Sequence, residues 1–595
     1  MKDTLRACAD LLRLSWTIAR FKLLLAVVLM IAQATALPLA APALAELTDA
    51  AIAGQVTRAT VAGLVVAALA VAALTAGHFA HVAYFELGEF NVLTMDRELI
   101  ELANGSAGLD HHERPAYADR LQVLRQELDR VGWSSMSALL SGISLAVAIG
   151  VTGVLLSTLD PWLLLLPVAA VPPLLAGRRA EDIVAEAREG SAETARAARH
   201  LLELATDAGS AKELRVCGLQ AELRSRAAEE WERTSAVLWR AERRAMAWRV
   251  GGQLSFATAY VAATLLVVQR TVTEGGGVGR VVLAITLAAQ VNAQVSTAVN
   301  LLQELQRLAG TLTHLRWMRE LVAEQAPPRP DKPVPAAIRS GIRLRGVSFG
   351  YPGADRPVLE GVDLFLPAGS SVAIVGENGA GKTTLVKLLC RFYEANAGLI
   401  EVDDIDLSRF PLEGWRERIA AGFQDFSRFE FLARETVGVG DLPRIDSTSA
   451  VDVALERAHG QDVVERLERG LETPLGTTYT DGAQLSGGQW QKLALGRAMM
   501  REAPLLVVLD EPTAALDAQA EHLLFERYAL NARRLGQRTG AITLLVSHRF
   551  STVRMADLIL VVADGRITEA GGHEDLMAID GLYAELYGIQ AAQYR

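Results

Sequence analysis

The hydrophobic and polar positions follow two different patterns, one in each half of the chain. The first half carries six apolar runs, at Leu23 to Leu47, Val61 to Tyr84, Met136 to Leu159, Trp162 to Leu175, Leu254 to Val268 and Val281 to Leu302. A bilayer is crossed by roughly 20 residues of helix, and the helical pattern of the shorter runs continues into charged sequence. The pattern therefore predicts six transmembrane helices, several of which project beyond the membrane.

The first apolar run lies where a secretory signal peptide would lie. It carries no charge before Glu46, and it is longer than the roughly 7 to 15 residues of a signal sequence. We therefore expect a retained helix. Ahead of it, the segment from Leu5 to Trp16 has apolar residues at helical spacing with basic residues between them, which predicts a short helix on the membrane surface.

Two long charged stretches separate the apolar runs, at 85–133 and 177–248. Both are rich in Ala, Leu, Glu and Arg, which is typical of long amphipathic helices, and both are interrupted near the middle, at Asn104 to Asp110 and at Asp207 to Ser210. Lys and Arg crowd the N-terminus and these stretches. The positive-inside rule therefore predicts a multi-pass protein of the cytoplasmic (inner) membrane, with both stretches and both termini in the cytoplasm.

Polar side chains form a stripe along the last predicted span. Thr286, Gln290, Gln294 and Thr297 recur at intervals of four, four and three residues, so they share one face of a helix. Such a stripe suits hydrogen bonding between helices or the wall of a translocation cavity, and the sequence leaves both open.

A proline-rich segment at 326–338 ends the helical pattern, because proline cannot occupy a helix interior. We interpret it as a linker between a membrane domain at 1–325 and a second domain at 339–595. In the second domain, short apolar strands alternate with helices. The predicted fold class is an all-α transmembrane domain of six helices followed by an α/β domain built on a phosphate-binding loop.

Strand 371–375 runs into Gly376-Glu-Asn-Gly-Ala-Gly-Lys-Thr-Thr384 and then into a helix. This is the context of a P-loop: backbone N–H groups surround phosphate oxygens, Lys382 reaches the terminal phosphates, and the Thr383 hydroxyl ligates Mg²⁺.

Two further apolar runs end in residues suited to phosphate chemistry. The run 505–510 ends in Asp510, which suits Mg²⁺, and in Glu511, which is placed to orient or deprotonate an attacking water. The run 541–546 leads to His548, which lies where a contact with the terminal phosphate would be, because the carboxyl ends of parallel strands meet at the ligand crevice. Taken alone, a histidine at a strand end is more often structural, and the motif leaves both roles open.

A second anion site is predicted at Ser486-Gly-Gly-Gln489, which opens onto a helix. Backbone donors at a helix N-terminus hold phosphate well. One nucleotide has no obvious need of two such sites in one chain.

Composition excludes several classes of protein. A net charge of −10 argues against a nucleic-acid partner, which would require an excess of Lys and Arg. The three cysteines have no pairing or metal-ligand spacing, so neither a disulfide framework nor a zinc site is indicated.

The order and spacing of these motifs resemble the nucleotide-binding domain of an ATP-binding cassette (ABC) transporter. Leu485 to Gln489 resembles the family signature, 376–383 the Walker A loop, 505–510 the Walker B strand, 515–517 the D-loop, Gln424 the Q-loop and His548 the switch histidine. The first half is similar to the family's exporter-type membrane domain, whose extensions dock on the cassettes, here by Leu109 to Tyr117 and by Ser210 to Gln220.

The resemblance implies a site for ATP and Mg²⁺. The implied catalytic residues are Glu511, His548, Lys382 and Gln424, and the implied Mg²⁺ ligands are Thr383, Gln424 and Asp510. The implied ATP contacts are Tyr351, which would stack on adenine, and Gly376, Glu377, Asn378, Gly379, Ala380, Gly381, Lys382, Thr383, Thr384, Gln424, Ser486, Gly487, Gly488, Gln489 and Asp517.

The resemblance also implies why there are two anion sites. In the family, two cassettes pack head to tail, and each ATP lies between the Walker A loop of one and the signature of the other. Because Glu511 and the signature are both intact, we expect a homodimer.

Two positions depart from the family pattern. Thr480 occupies the position of a usual Glu before the signature, where Asp481 could substitute, and the segment 428–437 lacks a usual Asn.

The function expected from the sequence is ATP hydrolysis coupled to export of a small amphipathic molecule, peptide or lipid across the bilayer. Alternatives are an importer with an exporter fold, such as one for siderophores, an ATP-gated channel or regulator, and a soluble ABC ATPase, which the six apolar runs oppose.

Overall fold

The structure is a computed structural model that describes residues 2–109, 111–112, 115–274, 277–325, 330–511, 518–547 and 549–593. The chain divides into two compact units. The first comprises residues 1–104 and 119–320, and the second comprises residues 105–118 and 321–595.

Helices build the first unit, some of them extending into the second. They are α1 (Lys2–Ile52), α2 (Val56–Asn104), α3 (Pro115–Leu159), α4 (Leu165–Ala169), α5 (Val171–Gly190), α6 (Ala192–Thr206), α7 (Ala211–Val216), α8 (Gln220–Glu274) and α9 (Val278–Glu324). Within the described residues, five helices are long and apolar enough to cross a membrane, in α1, α2, α3, α8 and α9. They contain five of the six predicted spans.

The fourth predicted span, Trp162 to Leu175, differs from the expectation because it does not form one continuous helix. A 3₁₀ turn at Pro161–Leu164 leads into the five-residue helix α4, and α5 then begins at Val171. Proline fits most easily in the first turn of a helix, where its missing N–H would have no partner within the helix, although α1 also contains Pro38 and Pro42 in its interior. Pro172 therefore fits at the start of α5, where the chain begins a new helix.

The predicted interruptions of the charged stretches coincide with helix ends. Helix α2 ends at Asn104, and α6 ends at Thr206 before α7 begins at Ala211. Helix α1 is also broken, at Ala19, whose φ of −150° and ψ of 65° are not helical. The break lies three residues beyond the predicted surface helix.

The polar stripe on α9 makes hydrogen bonds within the helical unit. The Gln294 amide donates to the Thr152 hydroxyl of α3 at 2.9 Å. The hydroxyls of Thr286 and Thr297 donate to carbonyls of their own helix, at 2.7 and 3.0 Å. Of the two interpretations, interhelical hydrogen bonding is realised at Gln294.

Two sheets build the second unit, from strands β1 (Gly341–Phe349), β2 (Leu359–Pro367), β3 (Ser371–Val375), β4 (Ala397–Val402), β5 (Ile405–Asp406), β6 (Ile419–Gly422), β7 (Leu506–Asp510), β8 (Ile542–Val546), β9 (Leu558–Ala563) and β10 (Arg566–Gly571). An antiparallel sheet has the order β2-β1-β4-β5. The larger sheet has the order β10-β9-β3-β8-β7-β6, in which only β10 is antiparallel.

The predicted strands 371–375, 505–510 and 541–546 correspond to β3, β7 and β8, which are neighbours in the larger sheet. Ile374 pairs with Val546, and Val546 pairs with Asp510. The carboxyl ends of the three strands therefore meet at one edge, as the sequence predicts.

The helices of the second unit are α10 (Lys382–Leu389), α11 (Leu412–Arg416), α12 (Ala433–Gly438), α13 (Thr448–Arg457), α14 (Gln461–Glu465), α15 (Gly487–Ala498), α16 (Ala518–Thr539), α17 (Phe550–Val553), α18 (His573–Ile579) and α19 (Leu582–Gln593). They contribute to separate hydrophobic cores. Helix α10 packs in a core with β1 to β4, whereas α12, α13 and α15 pack in another.

Residues 105–118 pack on the rest of the second unit. The Leu109 amide donates to the Phe392 carbonyl at 3.1 Å, and the Leu109 side chain packs against the core that contains α10. The Arg416 guanidinium donates to the carbonyls of Ala107 and Arg391, both at 2.6 Å. Arg416 thus joins this segment, which includes most of the first predicted docking turn, to the rest of the second unit.

Candidate functional site

The phosphate-binding loop connects β3 to α10 through glycines that no other residue could replace. Gly376 has φ of +148°, and a Cβ there would lie 2.1 Å from the Val562 carbonyl oxygen. Gly381 has φ of +105°, and a Cβ there would lie 2.8 Å from Leu359 Cδ2. The loop therefore brings its backbone close to neighbouring strands, which leaves its N–H groups available to an anion.

Lys382 lies at the first position of α10. Its ammonium donates to the carbonyls of Gly376 and Glu377, at 2.9 and 2.8 Å. Burial lowers the pKa of Lys382, while the charges of Glu511 and Asp510 oppose that shift. The ammonium thus donates its hydrogen bonds to backbone carbonyls of the loop, and a phosphate would give it a directly bonded negative counter-charge.

Asp510 ends β7 and is only 4 % exposed. Burial raises the pKa of Asp510, and so does the neighbouring Glu511, whereas a hydrogen bond from Thr383 opposes the shift. A divalent cation would relieve this desolvated negative charge, and Mg²⁺ prefers oxygen ligands such as a carboxylate and a hydroxyl. Asp510 and Thr383 therefore fit the predicted Mg²⁺ site.

Glu511 follows Asp510 in an unusual backbone conformation. Its φ is +46°, in the left-handed region that is costly for residues other than glycine, and its amide donates to the Val546 carbonyl at 3.0 Å. The Gln424 amide donates to the Glu511 carboxylate at 2.9 Å. The structure thereby pairs the predicted water-activating acid with the predicted Q-loop residue.

Tyr351 is joined to the loop through Thr384, since their hydroxyls lie 3.1 Å apart. Its ring centroid lies 5.3 Å from that of Tyr393 in an edge-to-face arrangement. The Lys387 ammonium lies 5.0 Å from the Tyr351 ring centroid. Stacking on adenine stays a prediction.

The signature residues form the N-terminus of α15. The Ser486 hydroxyl accepts from the Gln489 amide at 3.3 Å, and the Gln489 side chain accepts from the Ser486 amide at 2.8 Å. This reciprocal capping box fixes the helix start, while Ser486 and Gly487 remain exposed. The second predicted anion site is therefore open, and its helix packs in a different core from α10.

The structure brings together most of the predicted site. The loop residues 376–384, Tyr351, Gln424, Asp510 and Glu511 are connected by the contacts above. His548 and Asp517 lie outside the described residues. The signature residues belong to the other core, so their predicted role depends on a second chain.

Glu430 is a residue that sequence reasoning did not single out. Its carboxylate accepts hydrogen bonds from the amides of Thr477 and Thr478, at 3.0 and 2.9 Å, and from the Thr478 hydroxyl. Gly476 has φ of +89°, and a Cβ there would lie 2.1 Å from the Glu430 side chain. Glu430 thus connects the segment after Gln424 to the turn that precedes the signature.

The Glu430 contacts lie beside the departure from the family pattern near Thr480. The proposed substitute, Asp481, forms an ion pair with Arg469, and both side chains are more than half exposed. Glu430 instead holds the preceding turn with backbone and side-chain donors. The sequence signals at this place are the two departures from the family pattern, the absence of the usual Glu before the signature and of the usual Asn in the segment 428–437.

Comparison with known proteins agrees with this geometry. Residues 359–514 match the protein family described as ABC transporter. A protein named ATP-dependent lipid A-core flippase from Chromohalobacter salexigens is 40% identical over 268 residues, which is 45% of this chain and 44% of that protein. A protein of the same name from Xylella fastidiosa is 42% identical over 252 residues, 42% of this chain and 41% of that protein.

The chain thus spans less than half the length of the curated relatives it matches. A solved structure described as a bacterial Atm1-family ABC exporter with ATP bound is similar over 97% of this chain and 99% of that chain, with a TM-score of 0.79. The sequence identity is 24%, so this likeness concerns the fold.

The Glu430 contacts give a first prediction. Glu430→Ala removes the acceptor for three donors of the 477–478 turn, so we expect ATPase activity to fall severalfold while affinity for a fluorescent ATP analogue at the phosphate loop stays the same. Hydrogen bonds from Thr478 lower the pKa of Glu430. Its stabilising effect should therefore be present above the carboxylate's ordinary pKa of about 4.3 and be lost as the pH falls through the folded-state pKa.

Glu472→Ala is the matched control, because Glu472 pairs with Arg434 at an exposed site. An unchanged ATPase rate in Glu430→Ala would contradict a role for this contact.

Proposed function

We propose that this chain is an exporter-type ABC transporter, with a helical membrane domain fused to an ABC ATPase domain. It works as a homodimer that exports an amphipathic molecule across the cytoplasmic membrane. ATP binding and hydrolysis at two shared sites would drive the change of access. The names of the relatives, a flippase and an exporter, support export rather than import.

The observation that supports the homodimer is the open signature. The Ser486 N-terminus of α15 is capped, exposed and packed in a core separate from the phosphate loop. A second copy would place this N-terminus over the phosphates held by Lys382. Since every chain carries both halves, two identical chains complete two sites.

In this proposal the phosphates of ATP replace backbone carbonyls as the hydrogen-bond acceptors of Lys382. Lys382 leaves the carbonyls of Gly376 and Glu377 and binds the terminal phosphates, and the partner's helix N-terminus binds the same phosphate charge. Charge-assisted hydrogen bonds from two surfaces then hold the cassettes together. After hydrolysis the terminal phosphate is released, and the shared contacts are lost.

Mg²⁺ would be held by Asp510 and Thr383, with Gln424 as a further predicted ligand, and when bound it neutralises phosphate charge. Glu511 orients and deprotonates the attacking water. In the structure Glu511 is held by Gln424, so movement of the Gln424 segment controls when the carboxylate is free to act.

The Gln424 segment also lines a groove that suits the proposed coupling. The groove has a volume of about 340 Å³ and is lined by Phe423, Phe426, Phe429 and Arg497, among others. One guanidinium nitrogen of Arg497 is buried without a hydrogen-bond partner among the described residues. The groove therefore offers apolar surface and an unused donor next to the catalytic glutamine.

The turn around α7 has complementary chemistry. Val216 is 88 % exposed and Leu219 is 40 % exposed, and Glu213 supplies an exposed carboxylate. We propose that this turn, within the predicted docking segment Ser210 to Gln220, occupies the groove of the partner chain. Rearrangement of Gln424 on ATP binding would then move the membrane helices.

The role of Glu511 gives the second prediction. Glu511→Gln keeps the size and a hydrogen-bonding oxygen but removes the base. We expect ATP-dependent dimerisation of the cassettes to persist while hydrolysis falls by about two to four orders of magnitude. Single-turnover hydrolysis and ATP binding, measured on the same sample, separate the two effects.

Glu465→Gln serves as its control, since Glu465 is exposed on α14 and lies outside the site. Turnover of Glu511→Gln at the rate of this control would refute the assigned role.

The docking of the α7 turn gives the third prediction. Cys217 is exposed beside Val216, whereas burial raises the pKa of Cys390 to about 12 and keeps that thiol unreactive. In a Cys8→Ser background, Ser427→Cys introduces a thiol at the groove. We expect a short bis-maleimide to join Cys217 of one chain to this thiol of the other, giving a product of twice the chain mass on a denaturing gel.

Ser449→Cys, exposed on α13 away from the groove, should give little of this product. Equal cross-linking of the two variants, or only products of single-chain mass, would argue against the proposed docking.

A further inference from the structure

A cavity of about 810 Å³ lies along α8 in the first unit. Its lining is mainly apolar and aromatic, and includes Trp239, Met246, Leu254, Phe256 and Tyr260. Helix α9 closes one side with Ala289 and Asn292. A volume of several hundred cubic ångströms with a largely apolar wall is typical of a site for one small organic molecule.

The cavity crosses the boundary between two parts of α8. Up to Arg249 the helix carries frequent charges, whereas from Val250 to Val268 it carries none. The charged end of the cavity therefore lies at the predicted membrane surface, and the apolar end lies within the predicted span. A molecule that fills it needs a polar end and an apolar end in that order.

Two arginines line the charged end of the cavity, and they differ in whether they form ion pairs. The Arg249 guanidinium forms an ion pair with Glu181 at 2.8 Å and a longer one with Glu242 at 3.4 Å. Arg243 forms no hydrogen bond or ion pair with any described residue. The lining therefore carries two guanidinium groups and one carboxylate, that of Glu242, and Arg243 is the guanidinium without an ion-pair partner among the described residues.

The lining also contains two amide side chains, in addition to Arg243. Gln253 and Asn292 are exposed to the cavity, and in the part of the chain that the structure describes, neither side chain makes a hydrogen bond. Amides donate and accept hydrogen bonds, so they suit the polar groups beside a charged head. The apolar end, from Leu254 to Tyr260, offers surface suited to a hydrocarbon tail.

We propose that this cavity is the cargo site, and that it selects amphipathic anions whose negatively charged head pairs with Arg243 and whose apolar tail lies along α8 toward Tyr260. This inference rests on the proposed transport function and specifies its substrate class. A cationic amphiphile would be repelled by Arg243 and would have to compete with Arg249 for the Glu242 carboxylate, and a fully polar anion would leave the aromatic wall without a partner. The combination of head charge and tail therefore determines recognition.

Binding of matched amphiphiles to the full-length protein in neutral-lipid nanodiscs tests the inference. The probes share a twelve-carbon tail and differ in the head: dodecyl phosphate, the dodecyl ether of glycerol and dodecyltrimethylammonium. Inorganic phosphate is a fourth probe without a tail. We expect dodecyl phosphate to bind most tightly and inorganic phosphate to show no measurable binding.

Arg243→Gln should weaken dodecyl phosphate binding about tenfold, as expected for loss of a charge-assisted hydrogen bond, and should leave the glycerol ether unaffected. Arg243→Lys should retain the preference for the anion. Arg240→Gln is the matched control, because Arg240 is an exposed arginine three residues away on the same helix that does not line the cavity. It should change binding less than twofold.

Location is tested separately. Ala257→Trp fills the cavity and should weaken binding of both the phosphate and the glycerol ether. A diazirine analogue of dodecyl phosphate should label peptides from Trp239 to Tyr260. Equal binding of the anionic probe to the Arg243→Gln and wild-type proteins, tighter binding of the cationic probe, or labelling elsewhere would overturn the inference.

The outcomes also separate this inference from the proposed function. Anion binding at the cavity without transport in proteoliposomes would support the site and count against ATP-driven export. ATP-driven transport without a preference for anionic amphiphiles would support export and refute the assigned substrate class.

Discussion

The charge of a terminal phosphate is the interaction on which the rest of this structure depends. Lys382 donates to two backbone carbonyls and feels the charges of Asp510 and Glu511, and Asp510 is a buried carboxylate beside that second acid. Burial disfavours the charged form of both groups. A nucleotide with its Mg²⁺ supplies charge of both signs at once.

In the proposed dimer, the same phosphate accounts for the second predicted anion site, which would act on the nucleotide of the other chain. The N-terminus of α15 is fixed by the Ser486–Gln489 capping box, so its donors are already oriented before any ligand arrives. In the proposed dimer, the free energy of binding phosphate at this surface stabilises the association of the two chains. Gln424 and Glu430 lie on the segment that connects the catalytic acid to this helix, which gives a physical route between neighbouring sites.

The sequence predicted the nucleotide-binding half well because its signals are local. Gly376 and Gly381 stand where the backbone must adopt a positive φ, and the apolar runs that end at Val375, Asp510 and Val546 become adjacent parallel strands. Strand adjacency follows from general rules of topology, so the meeting of these ends could be expected. The contact of Glu430 with Thr477 and Thr478 could not, since it joins residues nearly fifty positions apart without any periodic pattern.

The membrane half was predicted less completely for a related reason. Hydropathy locates apolar runs but does not show how prolines divide them, and the run from Trp162 to Leu175 is accordingly divided between a 3₁₀ turn and two helices. Nor does it show which face of a helix is covered. The polar stripe of α9 suited either hydrogen bonding between helices or a cavity wall; Gln294 bonds to Thr152, and the cavity described above is lined mainly by α8.

The central claim is that each ATP site is built from two chains, and mixed dimers test it most directly. Lys382→Ala inactivates the phosphate loop, and Ser486→Arg obstructs the signature, so dimers of either variant alone should lack ATPase activity. If the sites are shared, a purified dimer of one Lys382→Ala chain and one Ser486→Arg chain contains one site free of both changes, and its activity should return to a substantial fraction of wild type. An inactive mixed dimer, equal to the two parents, would show that each chain completes its own site and would contradict the account.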